Sequence, residues 1–264
     1  MRRVRRPAVA GLFYPGGKTD LAGTVDGLLA EGRAQAGPDP RVPKVVIVPH
    51  AGYIYSGSTA AQAYARVEPA AERITRVVMF GPSHRVALRG LALPSSSSFN
   101  TPLGDVAIGT ADISDLPKVL VTDAPHAQEH SLEVQLPFLQ RVLGDFELVP
   151  FSVGVAEPDE VARVIDRCWG GPETLLVFST DLSHYYPYDT AQRLDAETVQ
   201  QMVTMTGPID PDRACGARPV NGLLETGARR GLTTELYGWC NSGDTAGDKE
   251  RVVGYAAIGA FEQD

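Results

Sequence analysis

The chain has 264 residues and a mass of 28.2 kDa, and the size scaling gives a chain of this mass a folded surface of roughly 11,000 Å². Hydrophobic residues make up 43% and charged residues 21%, so a substantial core can form without disulfides or metal staples. Lys and Arg total 24 against 32 Asp and Glu, a net charge of −8, which argues against nucleic acid or an anionic membrane as the principal partner.

The apolar stretches Val45–Val48, Val77–Phe80, Leu175–Phe178 and Val252–Phe261 are all far shorter than the ~20 residues of a membrane span. The basic start, Met1 to Pro7, imitates a secretory signal, but the apolar segment after it, Ala8 to Phe13, is too short for export. Cys168, Cys215 and Cys240 give no even framework and no Cys-x-x-Cys pair. These features predict a reduced, cytoplasmic protein with no membrane association. There is no P-loop and no Gly-x-Gly-x-x-Gly after the first strand, hence no nucleotide fingerprint.

In chain order, the turn cluster Gly37-Pro38-Asp39-Pro40 precedes the β-branched run Lys44–Val48, a strand buried on both faces. Ser58–Val67 has helical spacing, and Arg76–Phe80 is a second buried strand. Ser95–Ser98 reads as an exposed loop. Ser131–Leu143 is an amphipathic helix that Pro137 could kink. Phe146–Val153 is a strand, Glu157–Trp169 a helix and Thr174–Ser179 a strand. Ala191–Met205 and Val220–Arg230 follow as helices, then Leu236–Tyr237 and Arg251–Phe261 as strands. Strands interleaved with helices, with no composition shift, predict one α/β domain over residues 1–264. Its central sheet is mostly parallel or mixed and flanked by helices.

Three of the five histidines follow buried strands: His50, His84 and His184. In open α/β sheets the ligand crevice lies beyond the carboxyl ends of the strands, so neighbouring parallel strands would deliver these imidazoles to one place. A single strand-end histidine is most often an ordinary polar residue; three in the same context point to a shared site. Two imidazoles and one anion leave coordination positions open, as in non-haem iron(II) and some catalytic zinc sites. Asp181, Glu129 or a cysteine thiolate could supply the anion. Cys215 lies just before a helix, between Arg213 and Arg218, which would favour its thiolate. Cys168 beside Trp169 reads as a small buried hydrophobe. His126-Ala-Gln-Glu129-His130 matches the His-x-x-Glu-His pattern of some metalloproteases. That chemistry needs both histidines on one helical turn, whereas Pro125 before it and Ser131 as an N-cap after it suggest a loop entering a helix.

Seven segments occur together in order: Pro49–Gly57, Gly81-Pro-Ser-His84, Glu129-His-Ser-Leu-Glu133, Ser179-Thr-Asp-Leu-Ser-His184, Ala214-Cys-Gly216, Ser242-Gly-Asp-Thr245 and Val252–Ala257. With them the chain resembles the Memo (mediator of cell motility) family, in particular its prokaryotic branch, AmmeMemoRadiSam system protein B, from about Arg6 to Phe261. The resemblance implies the α/β fold of the catalytic subunit of class III extradiol dioxygenases, which hold iron(II) by two histidines and a glutamate. It places His50, His84 and Cys215 as metal ligands, the cysteine standing where those enzymes have the carboxylate. His184 matches the acid/base histidine, with Asp181 close to it, and His130 a further pocket histidine. A thiolate ligand admits zinc or copper as well as iron(II), and puts ring cleavage itself in question. Tyr53, Tyr55, Tyr185 and Glu129 are candidates for lining the substrate pocket.

The expected function is therefore a metal-dependent redox role in a dioxygenase-like pocket. The alternatives are a peptide- or protein-binding module that reuses the pocket, as eukaryotic Memo proteins are linked to phosphotyrosine-peptide recognition, and a hydrolase with Cys215 and His184 as nucleophile and base. The expected ligand is a small molecule or peptide. The family name also implies an AMMECR1-like protein and a radical S-adenosylmethionine enzyme as partners.

Overall fold

The computed structural model describes residues 3–37, 41–116 and 118–263. A two-residue strand, β1 (Val4–Arg5), and helix α1 (Lys18–Gln35) precede β2 (Val45–Val48) and α2 (Tyr53–Ala65). After β3 (Arg76–Pro82) come four short strands: β4 (Leu91–Leu93), β5 (Ser98–Thr101), β6 (Gly104–Ile108) and β7 (Val119–Val121). Helices α3 (Ala124–Ala127) and α4 (Leu136–Leu143) lead into β8 (Glu147–Val153), α5 (Pro158–Cys168) and β9 (Thr174–Ser179). The chain closes with β10 (His184–Tyr186), α6 (Tyr188–Val203), α7 (Ala217–Arg230), β11 (Thr233–Asn241) and β12 (Val252–Phe261).

The described strands form one mixed 12-stranded sheet. Its centre, β8-β3-β9-β2, is parallel, and β12 joins β2 antiparallel. Every residue of β2 and β9 is buried, as continuous apolar runs require when both faces are covered. Alternate residues serve two separate cores. Val45, Ile47, Val78, Phe80 and Phe178 pack with Val161, Ile165 and Leu223 from α5 and α7. Val46, Val48, Val77, Met79 and Val177 face Leu21, Tyr64 and Leu139 from α1, α2 and α4.

Several expected elements take different bounds. Helix α5 starts at Pro158, where the missing N–H breaks no helical bond, and Glu157 and Glu160 close a capping box before it. For the same reason Pro137 opens α4 rather than kinking a longer helix; a 3₁₀ turn over Glu133–Gln135 precedes it. Ser95–Ser98 is not an exposed loop: Ser96 and Ser98 are buried, and the Asp123 carboxylate accepts from both the N–H and the hydroxyl of Ser95 and of Ser96. Helix α1 has no counterpart in the sequence reading. Its apolar stripe is thin, with only Leu21, Val25, Leu29 and Gly32 buried. Gly32 sits where α1 crosses α2, and a Cβ there would lie 2.5 Å from the Ala61 carbonyl oxygen. The turn expected at Gly37–Pro40 falls on residues 38–40, outside the described residues. No helix among the described residues is long and apolar enough to cross a membrane.

Candidate metal centre

The three adjacent parallel strands β3, β9 and β2 end together, and the residues just beyond them are His84, Asp181 and His50. His184 reaches the same region by another route: it opens β10, which pairs antiparallel with β12 through His184 and Val253. His130 arrives from the loop between α3 and α4. One ring nitrogen each from His50, His84 and His130 lies within 4.8 Å of the others, so the three form a group able to hold a metal ion. The rings crowd accordingly: His50 is 5.3 Å from His84 and 5.4 Å from His130, and His84 stacks on His130 at 4.8 Å.

Hydrogen bonds fix which nitrogen carries the proton in the His50, His84 and His184 rings. The Ser179 hydroxyl donates to the Ser131 carbonyl at 2.6 Å and accepts from Gln135 Nε2 at 2.8 Å. Its single hydrogen is thus committed, and it must also accept from His50 Nδ1, 2.9 Å away. His50 Nε2 is left with a lone pair. His84 Nδ1 lies 2.9 Å from Glu129 Oε1. Burial alone would raise the Glu129 carboxyl; the hydrogen bond from the His84 ring, with the N–H groups of Ser131 and His84, overcomes it and holds the group at about 2. An ionised Glu129 makes His84 Nδ1 the donor and leaves His84 Nε2 free. His184 Nδ1 bonds the Leu182 carbonyl at 2.8 Å, so its Nε2 is free as well. Burial, followed by repulsion from the other histidines, keeps His50 far below its ordinary range; burial alone leads at His130, held at about 4. These are neutral imidazoles of the kind a metal recruits. Among the described residues buried His130 Nδ1 has no hydrogen-bond partner, with Glu129 Oε1 3.4 Å away.

Cys215 stands beside this group. Its Sγ is 3.2 Å from His50 Nε2 and accepts from the Asp181 N–H at 3.3 Å. The close approach depends on Gly216, where a Cβ would lie 2.6 Å from Thr180 Cβ and 2.8 Å from the Ser179 carbonyl oxygen. Arg213 and Arg218 do not create a thiolate as the sequence suggested. Arg213 is spent on Glu197 and the Leu194 carbonyl, while burial first and then the Asp181 carboxylate push the Cys215 thiol up. Asp181 itself, fully buried, is pushed up to about 7, although its Oδ1 accepts from the His50 N–H at 2.7 Å.

Of the pocket-lining candidates, Glu129 faces the site as the partner of His84. Tyr53 is turned into the packing between α2 and α4, with its hydroxyl on the Val134 carbonyl at 2.6 Å and its ring 4.9 Å from Phe138. Tyr185 is 61% exposed beside His184 and adopts φ +64°, a left-handed conformation unusual outside glycine. His126 is directed away from the pocket, its Nε2 on the Ala92 carbonyl at 3.0 Å. It therefore shares no face with His130, which removes the protease pattern. Nor is Ser131 an N-cap, since its hydroxyl bonds the Pro82 carbonyl. Ser179 and Gln135, which fix the His50 ring, were not singled out from sequence. Ser179 sits in a recognised segment, but nothing in its spacing marks it as the partner of an imidazole.

A mixed sheet with histidines whose Nδ1 is fixed by a hydrogen bond at the carboxyl ends of its central parallel strands defines an α/β protein with a candidate metal centre. A family model described as Memo-like protein matches residues 5–259. A MEMO1 family protein of Aquifex aeolicus is 36% identical over 278 aligned positions, covering 97% of this chain and 98% of that protein. Relatives of the same description from Methanococcoides burtonii and Ignicoccus hospitalis are 35% and 37% identical, each over 97% of this chain and at least 98% of their own length. The chain belongs to the Memo-like family.

Proposed function

We propose that this pocket binds a divalent transition metal, iron(II) in the first place and zinc or copper as competitors, and serves a metal-dependent redox reaction. The observation that carries the reading is the pair of locked tautomers. His50 and His84 both spend their Nδ1 proton on a fixed acceptor, leaving both Nε2 lone pairs for a ligand. This is the outer-shell arrangement that orients histidine ligands in metalloproteins. Imidazole ligands supply no negative charge to balance a buried dication, and the group best placed to do so is Cys215, with Sγ already 3.2 Å from His50 Nε2. His50, His84 and Cys215 are accordingly the ligands, and the thiol gives up its proton as the metal binds. A reducing compartment such as the cytoplasm keeps that thiol available.

When bound, the metal would supply Lewis acidity and, as iron(II), one-electron chemistry. The remaining steps belong to the chain. His184, with Nε2 unprotonated and the ring oriented by the Leu182 carbonyl, takes a proton from the substrate and returns it. His130 offers a second neutral imidazole across the pocket. Asp181 holds the His50 main chain and, raised to about 7, is itself able to exchange a proton near neutrality.

The test is anaerobic loading of metal-stripped protein with iron(II), followed by oxygen-uptake assays with catechols and other oxidisable small molecules. Stoichiometric iron in the wild type, lost in His50→Ala and His84→Ala, supports the site, and substrate-dependent oxygen uptake supports the redox role. A wild type that takes up no iron, zinc or copper overturns both. One geometric observation favours a second reading, a hydrolase, with His50 in place of the His184 expected from sequence: Cys215 Sγ is hydrogen-bonded to His50 Nε2 as a thiol–imidazole pair, while His184 Nδ1 turns to the Leu182 carbonyl. Alkylation of Cys215 that abolishes a hydrolytic activity of the metal-free protein would select that reading.

A further inference from the structure

The basic N-terminal segment carries one side chain into the interior. Arg5 is 6% exposed, and its guanidinium is spent entirely on one short stretch of chain. Nε donates to the His126 carbonyl at 2.9 Å, Nη2 to the Glu129 carbonyl at 2.6 Å, and Nη1 to the Glu133 carboxylate. Its flat face lies over the Phe99 ring, 5.2 Å from the centroid. Glu133 is fully buried and accepts three further bonds from the same N-terminal segment: the N–H of Ala8 at 2.7 Å, the N–H of Val9 at 3.0 Å and the Tyr14 hydroxyl at 2.6 Å. The segment then lays Phe13 against His130, with centroids 4.9 Å apart.

The stretch that Arg5 grips includes the carboxylate that orients a candidate ligand. Glu129 accepts from His84 N at 2.6 Å, His84 Nδ1 at 2.9 Å, and the N–H groups of His130 and Ser131, each at 3.0 Å. That side chain can serve four donors only if its main chain is held, and the bonds from Arg5 to the carbonyls at 126 and 129 hold it. Here a rigid planar fork reaches three acceptors from three separate nitrogens, a spread that the single nitrogen of an ammonium does not reproduce.

We propose that Arg5 is a positioning residue for the pocket. It fixes the 126–129 turn, thereby Glu129, and through Glu129 the Nδ1–H tautomer of His84. The consequence for metal affinity rests on the function proposed above; the positioning itself does not. Glu133 has a separate role, anchoring the N-terminal segment that carries Arg5 and Phe13.

The experiment separates the two claims by reading the histidine rings of metal-free protein directly. Protein with ¹⁵N-labelled histidine is compared by NMR for the wild type, Arg5→Lys and, as a version that leaves no unpaired buried charge, the double variant Arg5→Gln/Glu133→Gln. In the wild type His84 and His50 each show a single Nδ1–H tautomer. In either variant His84 becomes a mixture of tautomers, while His50, held by Ser179 on the far side, is unchanged. Zinc affinity in the same variants falls about tenfold, the low end of what outer-shell changes cost. A folded variant in which His84 keeps its single tautomer overturns the positioning role. So does equal disturbance of His50, which would mark a general loosening instead. Failure of the wild type to bind zinc would count against the metal reading alone.

Discussion

The two walls of the pocket treat a buried carboxyl in opposite ways. On the wall formed by the loop before α4, Glu129 accepts four N–H donors and is held at about 2. On the wall formed by the ends of β2 and β9, Asp181 is fully buried, has the His50 N–H as its closest donor, and rises to about 7. Burial pushes both groups up; the number of donors decides which one stays ionised. The difference gives the two walls different work. The Glu129 wall carries a fixed negative charge that orients His84. The Asp181 wall, with the neutral thiol of Cys215, can change its charge when something binds.

The largest effect is expected where the fixed charge is removed. Glu129→Gln keeps the shape but sets its NH₂ against at least one N–H donor of His84, the main chain at Oε2 or the ring at Oε1, and removes the negative charge that holds the ring's Nδ1–H. Zinc affinity should fall by about 100-fold, the upper end for an outer-shell partner of a histidine ligand. Competition titration with a chromophoric chelator measures it, and a change within twofold would mean that Glu129 does not orient the ligand.

A smaller effect distinguishes the walls by pH. Asp181 rises from its ordinary 3.8 to about 7, so the folded protein keeps a proton that the unfolded chain has released. This contribution favours folding at the acid end of the window and is lost as pH rises from about 4 through 7. Asp195, raised to about 6 by burial, acts in the same direction. Glu129 has the opposite sign, its stabilisation being present above its ordinary 4.5 and lost as pH falls toward about 2. The buried histidines His50, His126, His130 and His184, lowered by burial, act in the opposite direction, so the difference is what isolates Asp181: in urea unfolding of metal-free protein, the stability of the wild type relative to Asp181→Asn should fall as pH rises from 4 to 7. Identical slopes would place Asp181 at its ordinary value. The smallest effect belongs to His126, buried outside both walls. His126→Gln should leave metal content unchanged and cost about 1 kcal/mol of stability for the altered bond to Ala92; loss of metal would restore the His-x-x-Glu-His pattern as a ligand set.

The same contrast separates what the sequence made legible from what it hid. His50 and His84 could be placed because each follows a buried β-branched run, and such runs in an α/β chain become parallel strands whose ends meet. The helices with broad apolar stripes, α5 and α7, were recognisable from spacing; α1, with four buried positions in eighteen residues, was not. The supporting shell was also out of reach. Ser179 and Gln135 act on His50, and Arg5 on the Glu129 turn, across 44 to 129 residues of chain. Periodicity records only local spacing, so long-range polar partners leave no trace in it. Cys215 was visible through its segment, but the inference that neighbouring arginines activate it failed because sequence neighbours on a turn point to different places: Arg213 turns to Glu197 while the thiol turns inward.

In the proposed site Cys215, and not His130, completes the ligand set with His50 and His84. Metal content by mass spectrometry after anaerobic purification, on wild type, Cys215→Ala and His130→Ala side by side, tests it most directly. Stoichiometric metal is expected in the wild type and in His130→Ala, and its loss in Cys215→Ala. Full metal retained by Cys215→Ala and lost from His130→Ala would contradict it, making the site one of three histidines and the thiol a bystander.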